Sequence, residues 1–274
     1  KTDDAKTSRL IDRVLHAPDH QVMALSISQI YRYPVKSLTA EALVSVRLTR
    51  DQVLPNDRRF GIAHASAQFD SLAPEHLPKS NFLNLMRNER LALLSTSFDD
   101  STDSLTIMRD GKQVARGQIT TPVGRSIIEQ FFASFATGDV RGTPKLLDGH
   151  EIAFTDQGTP LVSLIGHASI RDLERVAGEP VDHRRFRANF YFEGEKPWEE
   201  FSWVGQEISI GDVRLQVEKR IERCAATNVH PDQGTRDMNL PLTLKKGFSH
   251  IDMGVYARVI SDGAVRIGDP LMSG

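Results

Sequence analysis

From Leu25 onward the apolar residues of this chain fall in short runs with a period of two, each closed by a Gly, Pro, Asn or Asp turn, and that spacing dictates strands with few helices between them. Ile27, Gln29 and Tyr31 alternate with Ser26, Ser28 and Ile30 in a strand that runs into Tyr33-Pro34-Val35-Lys36-Ser37. Pro34 ends the ladder and leaves Lys36 and Ser37 in a turn. Residues 43–48 and 60–64 predict two more strands, residues 66–88 an irregular stretch with Pro74, Pro78 and Asn81. Residues 91–97, 104–108 and 113–119 then predict a meander punctuated by Asp99-Asp100 and Asp110-Gly111. Thr121-Pro122 opens a helix whose Val123, Ile127, Ile128, Phe131, Phe132 and Phe135 recur at three and four, and Gly138 ends it.

The second half repeats the mixture. A strand over 161–165 feeds a helix over 168–176 that stops at Gly178 and Pro180. An aromatic strand ending at Phe192 is entered through Arg184, Arg185 and Arg187; a hairpin joins 208–210 to 213–217, and another joins 254–260 to 265–271. Upstream, Leu10, Ile11, Val14 and Leu15 predict a short helix or arm, in which Pro18 separates His16 from His20 and argues against a metal pair. The expected class is therefore α+β, mainly β, built on barrel-like sheets. The expected divisions are an arm over 1–24, an N-terminal β region over 25–121 and a second domain over 122–274.

Composition removes several functions. A net charge of −2 argues against broad nucleic-acid binding. The single cysteine excludes an intrachain disulfide framework and any multi-cysteine zinc or iron–sulfur site. No apolar run approaches the roughly 18 residues of a membrane span. The first 22 residues lack a signal-peptide core, so the expected location is cytoplasmic; Lys at position 1 suggests a processed or trimmed chain, with Met23 an alternative start. Glycine-rich dinucleotide loops, Walker loops and Gly-X-Ser-X-Gly elbows are absent.

The cysteine itself, Cys224, does not sit in an apolar run. Lys219, Arg220 and Arg223 precede it and Thr227, Asn228 and His230 follow, neighbours that favour the thiolate over the buried thiol usual for a lone cysteine. A cysteine hydrolase would draw a base from His167, His183, His230 or His250, and a zinc site would draw on the same histidines, but no local spacing selects among them. A metal that arrives with soft sulfurs and a phosphate on an organic cofactor needs only one thiolate, several Arg or Lys donors and a few hydroxyl and amide groups. Lys36-Ser37, Arg58-Arg59, Arg184-Arg185-Arg187-Asn189 and Arg223-Cys224 supply that inventory at strand ends and turns.

Five landmarks stand in order: Tyr33-Pro34-Val35-Lys36-Ser37, Phe186-Arg187-Ala188-Asn189, Arg223-Cys224-Ala225-Ala226-Thr227 with Pro231-Asp232, Gly254-Val255-Tyr256, and Val265-Arg266-Ile267-Gly268-Asp269. Together they resemble the MOSC proteins, the molybdenum cofactor sulfurase C-terminal domain family that includes the amidoxime-reducing components, across roughly residues 25–271. The resemblance implies a MOSC β-barrel domain packed with an N-terminal β-barrel-like region, and binding of molybdopterin, the molybdenum cofactor. It implies that Lys36, Ser37 and Arg59 hold the pterin and its phosphate, that Arg187 and Asn189 reach it from the other half, and that His167, Ser169, Arg223 and Thr227 add contacts. Cys224 would be the molybdenum thiolate and the catalytic residue.

The implied activity is reduction of N-hydroxylated or related small molecules with electrons from a separate protein of iron–sulfur, flavin or haem type. Two alternatives share the site: a sulfur carrier holding a Cys224 persulfide, supplied by a pyridoxal phosphate-dependent partner and not by a bound cofactor, and a non-catalytic cofactor carrier. Ala188 replaces the proline usual in the Phe-Arg-Pro-Asn motif, and Glu222 precedes Arg223 where the amidoxime reducers have serine. Residues 236–241 and 249–253 depart from them as well, which points to a separate subgroup.

Overall fold

The computed structural model describes residues 24–150 and 152–273. The arm expected over 1–24, with His16 and His20, lies outside the described residues apart from Ala24. Fifteen strands and three α-helices are described, so the chain is mainly β, as expected. No helix among the described residues is long and apolar enough to cross a membrane.

The largest sheet draws strands from both ends of the chain. It contains β1 (Ser26–Arg32), β2 (Glu41–Leu43), β9 (Val162–Gly166), β10 (Phe190–Glu193), β11 (Glu207–Ile210), β12 (Val213–Glu222), β13 (Asp252–Val259) and β15 (Leu271–Ser273) in the order β15-β11-β12-β13-β9-β10-β1-β2. Every pairing is antiparallel except β9 with β10, which α2 (His167–Ala177) connects as a crossover. Ile27 and Ile30 of β1 and Val46 and Leu48 of β3 (Ser45–Leu48) bury against Leu164, Phe190, Phe192, Val217 and Val255 in one core. Burying apolar area of this kind contributes about 25 cal/mol per Å2.

A second core belongs to the meander of β5 (Ser95–Asp99), β6 (Ser104–Arg109) and β7 (Lys112–Gln118), with β4 (Phe60–Ala63) paired to β8 (Lys145–Asp148) beside it. Helix α1 (Pro122–Phe135) closes that core with Ile128 and Phe132. Its start is the expected one: the Thr121 hydroxyl accepts from the Gly124 amide at 3.1 Å. A Cβ on Gly124 would stand 2.0 Å from the Gln118 carbonyl oxygen, so only glycine lets the helix lie this close to β7.

Two expectations differ from the structure. The closing hairpin does not form: β14 (Gly263–Arg266) pairs with β3, because both edges of β13 are already held by β12 and β9. A further helix, α3 (Leu240–Phe248), appears where none was expected; the Asn239 side chain accepts from the Leu242 amide at 3.3 Å and Pro241 occupies its first turn.

Candidate functional site

Four chain segments deliver polar side chains to one cavity of about 140 Å3. The turn after β1 brings Lys36 and Ser37, the turn before β4 brings Arg58, the basic stretch before β10 brings Arg185, Arg187 and Asn189, and the end of β12 brings Arg223, Cys224 and Thr227. Ser37, Arg58 and Arg187 all take left-handed backbone conformations, with φ of 68°, 51° and 53°. Non-glycine residues adopt that region at a cost, commonly where surrounding structure holds a side chain in a special place.

The cations of this wall are unequally matched. Lys36 Nζ donates to Asp156 at 2.7 Å and to the Phe154 carbonyl at 2.9 Å. Arg185 forks onto Asp237 at 2.8 and 2.6 Å, and Arg58 pairs with Asp57. Arg187 and Arg223 have no carboxylate within 4.0 Å among the described residues; Arg187 donates to the Leu38 carbonyl at 2.7 Å, and Arg223 to those of Phe186 and Met253. Burial pulls the Arg187 pKa down to about 10 and lowers those of Arg223 and Lys36 too, the Asp156 charge only partly opposing the last. One Arg187 nitrogen, Nη2, is buried with no hydrogen-bond partner. A cation-rich cavity with buried, under-matched guanidiniums is complementary to an anion.

Asn189 stiffens the floor. Its carboxamide oxygen accepts from the Ser163 amide at 3.1 Å and hydroxyl at 3.0 Å, and its nitrogen donates to the Tyr31 carbonyl at 3.2 Å. Cys224 is half-buried, and its carbonyl accepts from the Thr227 hydroxyl at 2.9 Å and amide at 3.1 Å, which fixes the bend between β12 and the short helix Ala225–Asn228. Cys224 also lines a second, open groove of about 890 Å3, bordered by Lys79, Phe201, Lys219, Arg220, Glu222 and Tyr256. Cys224 therefore borders both the cationic cavity and the groove.

Lys36, Ser37, Arg187, Asn189, Arg223, Cys224 and Thr227 are thus brought together, while Arg59, His167 and Ser169 are not on the cavity wall. Arg59 instead forks onto Asp148 at 2.8 and 2.9 Å. His167 opens α2 with its ring centroid 5.8 Å from that of His183 and 5.7 Å from that of Tyr191. The Ser169 hydroxyl donates to the buried Glu200 at 2.8 Å and accepts from the Trp198 amide at 2.8 Å, so its one O–H donor is already spent inside the fold. Burial raises the Glu200 pKa to about 7. The sequence offers the Arg58-Arg59 pair as donors and the resemblance gives the role to Arg59, whereas the structure puts Arg58 on the cavity wall; the Asn56-Asp57 turn ahead of the pair is the available signal. Among the described residues no group of three or more His, Cys, Asp or Glu is placed to hold a metal, so a metal at Cys224 would have to bring most of its own ligands.

Comparison with known proteins places this geometry in context. The chain is 31% identical over 137 residues to mitochondrial amidoxime reducing component 2 of Rattus norvegicus, covering 46% of this chain and 39% of that protein. It is 31% identical over 133 residues to mitochondrial amidoxime-reducing component 1 of Mus musculus, covering 44% and 38%. The match thus spans about two fifths of these curated relatives' length. Among solved structures, the YUAD protein from Bacillus subtilis is 12% identical with a TM-score of 0.42 over 91% of this chain and 94% of that one. YiiM from Geobacillus stearothermophilus is 20% identical with a TM-score of 0.33 over 41% and 53%. With residues 24–141 matching the MOSC N-terminal beta barrel domain and residues 151–272 the MOSC domain, the chain belongs to the MOSC family.

Proposed function

We propose that this chain binds a molybdenum cofactor through Cys224 and works as an oxidoreductase on small N-hydroxylated molecules, with electrons from a separate protein. The observation that carries the reading is the convergence of Lys36, Arg58, Arg187 and Arg223 on a cavity that also holds the chain's one thiol. Family membership and the amidoxime-reducing names of the relatives support it.

The residues fit such a group. Lys36, Arg58 and Arg187 would hold its phosphate and polar ring edges, Arg187 gaining an acceptor for its unpartnered Nη2. Cys224, with Arg223 beside it, would offer a thiolate to the metal. When bound, the cofactor supplies the two-electron redox chemistry. The protein's part is to bind it, to keep its anionic side away from water and to leave the thiol's other side open to solvent through the groove.

Elemental analysis of protein from a molybdopterin-competent host tests this. About one molybdenum per chain is expected in the parent, with less metal and no amidoxime reduction in Cys224→Ala. Metal-free protein that retains full activity would sink the reading, and a Cys224 persulfide without metal would replace it with sulfur transfer.

A further inference from the structure

The carboxylates that pair with the cavity cations do not all stand alike. Asp57, the partner of Arg58, and Asp237, the partner of Arg185, are not on the cavity wall. Asp156 is on it, 2.7 Å from Lys36 Nζ and 3.9 Å from Lys79 Nζ. The wall has one other carboxylate, Glu222, which has no cation within 4.0 Å among the described residues. Among those residues Asp156 is therefore the carboxylate that meets a cavity cation from the side a ligand would take.

Burial by itself would raise the Asp156 pKa, yet Lys36, Lys79 and Arg58 hold it below the ordinary carboxylate value, and Arg187 feels its charge as well. The carboxylate thus sits in the field that an anion in this cavity would meet. Lys36 is 7% exposed, and a buried ammonium needs a partner. Asp156 itself is free to leave: its side chain is 44% exposed and lines the groove as well as the cavity. It belongs to a stretch, residues 155–159, with no strand or helix. Both neighbours in that stretch are tied down, the Thr155 carbonyl to His76 Nε2 at 2.9 Å and the Gln157 carboxamide to Lys219 Nζ at 2.6 Å. The carboxylate can turn into the groove while its backbone stays in place.

We propose that Asp156 is an internal stand-in for the ligand's anion, holding Lys36 until a phosphate monoester enters the cavity and displaces the carboxylate toward the groove. The inference rests on the reading of this cavity as the seat of a cofactor phosphate. Lys36 keeps the Phe154 carbonyl, 2.9 Å away, and turns the N–H released by Asp156 to the phosphate. A phosphate dianion brings one negative charge more than the carboxylate it replaces, and that difference drives the exchange.

A carboxylate that merely held Lys36 ready for the ligand would act with the opposite sign, so Asp156→Asn separates the two roles: it keeps an acceptor for Lys36 and removes the charge. The full chain, from a host that makes no molybdopterin, is titrated with inorganic phosphate at constant ionic strength, and the Kd is read from the rise in melting midpoint. The variant is expected to bind phosphate about fivefold more tightly than the parent, the upper end of what a half-exposed charge contributes. Crystals of the parent soaked in phosphate give a second readout that needs no variant: the anion should lie on Lys36 with the Asp156 carboxylate out of hydrogen-bond reach. Equal, weaker or undetectable binding by the variant, no phosphate on Lys36 in the soaked crystals, or Asp156 still bonded to Lys36 beside the phosphate overturns the proposal. Pterin retained by protein from a molybdopterin-competent host is scored separately by its fluorescence. Retention without tighter phosphate binding in the variant sinks this inference alone, whereas tighter phosphate binding with no pterin retained by the parent upholds the stand-in and sinks the cofactor reading.

Discussion

Arg58 donates from Nη2 to the backbone carbonyl of Arg187 at 2.7 Å, and both guanidiniums lean on the Tyr33 ring, 4.2 and 4.3 Å from its centroid. Two like charges share one aromatic surface, and only Arg58 has a carboxylate partner, Asp57. The contact with the ring offsets part of the desolvation of each cation. The remainder is a cost that an anion in the cavity would offset.

Removing the unmatched cation should therefore stabilise the empty protein. Because burial holds the Arg187 pKa at about 10, below its ordinary value, the charged form is penalised in the fold at every pH below that value and the penalty is relieved only above it. Arg187→Met is expected to raise unfolding stability at pH 7 by about 1 kcal/mol while lowering the molybdenum retained after purification. Urea unfolding of metal-free samples and metal analysis of loaded ones check the two halves; a less stable apo variant contradicts the first.

Neighbouring arginines should behave oppositely. Arg58→Gln is expected to lose cofactor because its side chain lines the cavity, whereas Arg59→Gln should retain it and lose stability, since Asp148, with a side chain 3% exposed, forfeits its forked partner. The stability loss is on the order of 2 kcal/mol. Metal content and thermal melts of the two variants side by side decide the matter, and equal metal loss in both would refute it.

What the sequence made legible here follows from how local each signal was. Lys36, Arg187 and Cys224 stand at the ends of β1, β10 and β12, and strand ends are readable from period-two runs and their breakers. The choice between Arg58 and Arg59 depends on the left-handed turn at Asn56 and Arg58, with φ of 61° and 51°, which a residue pair alone does not announce. The resemblance implies a cofactor contact at Ser169, and only the fold shows its hydroxyl already donating to Glu200. The pairing of β14 with β3 joins residues more than two hundred positions apart, and α3 carries Pro241 and Gly247 in a short span with a weak apolar repeat.

Glu200 gives the fold a pH dependence. Its pKa is raised to about 7 by burial, so its contribution is fully present below the unfolded value near 4.5 and is lost as pH rises through 7. The loss is on the order of 3 kcal/mol between pH 4.5 and 8. Glu200→Gln keeps an acceptor for Ser169 and should flatten that part of the profile, measured by urea unfolding across the range. An unchanged slope in the variant would assign the dependence elsewhere.

Gly254 is expected to tolerate no side chain. Its φ is +77°, and a Cβ there would lie 2.5 Å from both the Leu164 carbonyl oxygen and Ile165 Cγ1, where β13 pairs with β9. Gly254→Ala should cost about 3 kcal/mol or more through combined strain and clash. A shift in the urea midpoint measures it; a loss below about 1 kcal/mol would show that β13 can move aside.

The position of β1 between β10 and β2 governs how the chain fails when cut. Residues 26–32 cover the edge of Phe190–Glu193, three of whose four side chains are buried aromatics. A fragment beginning after Arg32 would bare that edge, an apolar template for another copy. Truncation is thus expected to yield precipitate instead of a smaller working domain.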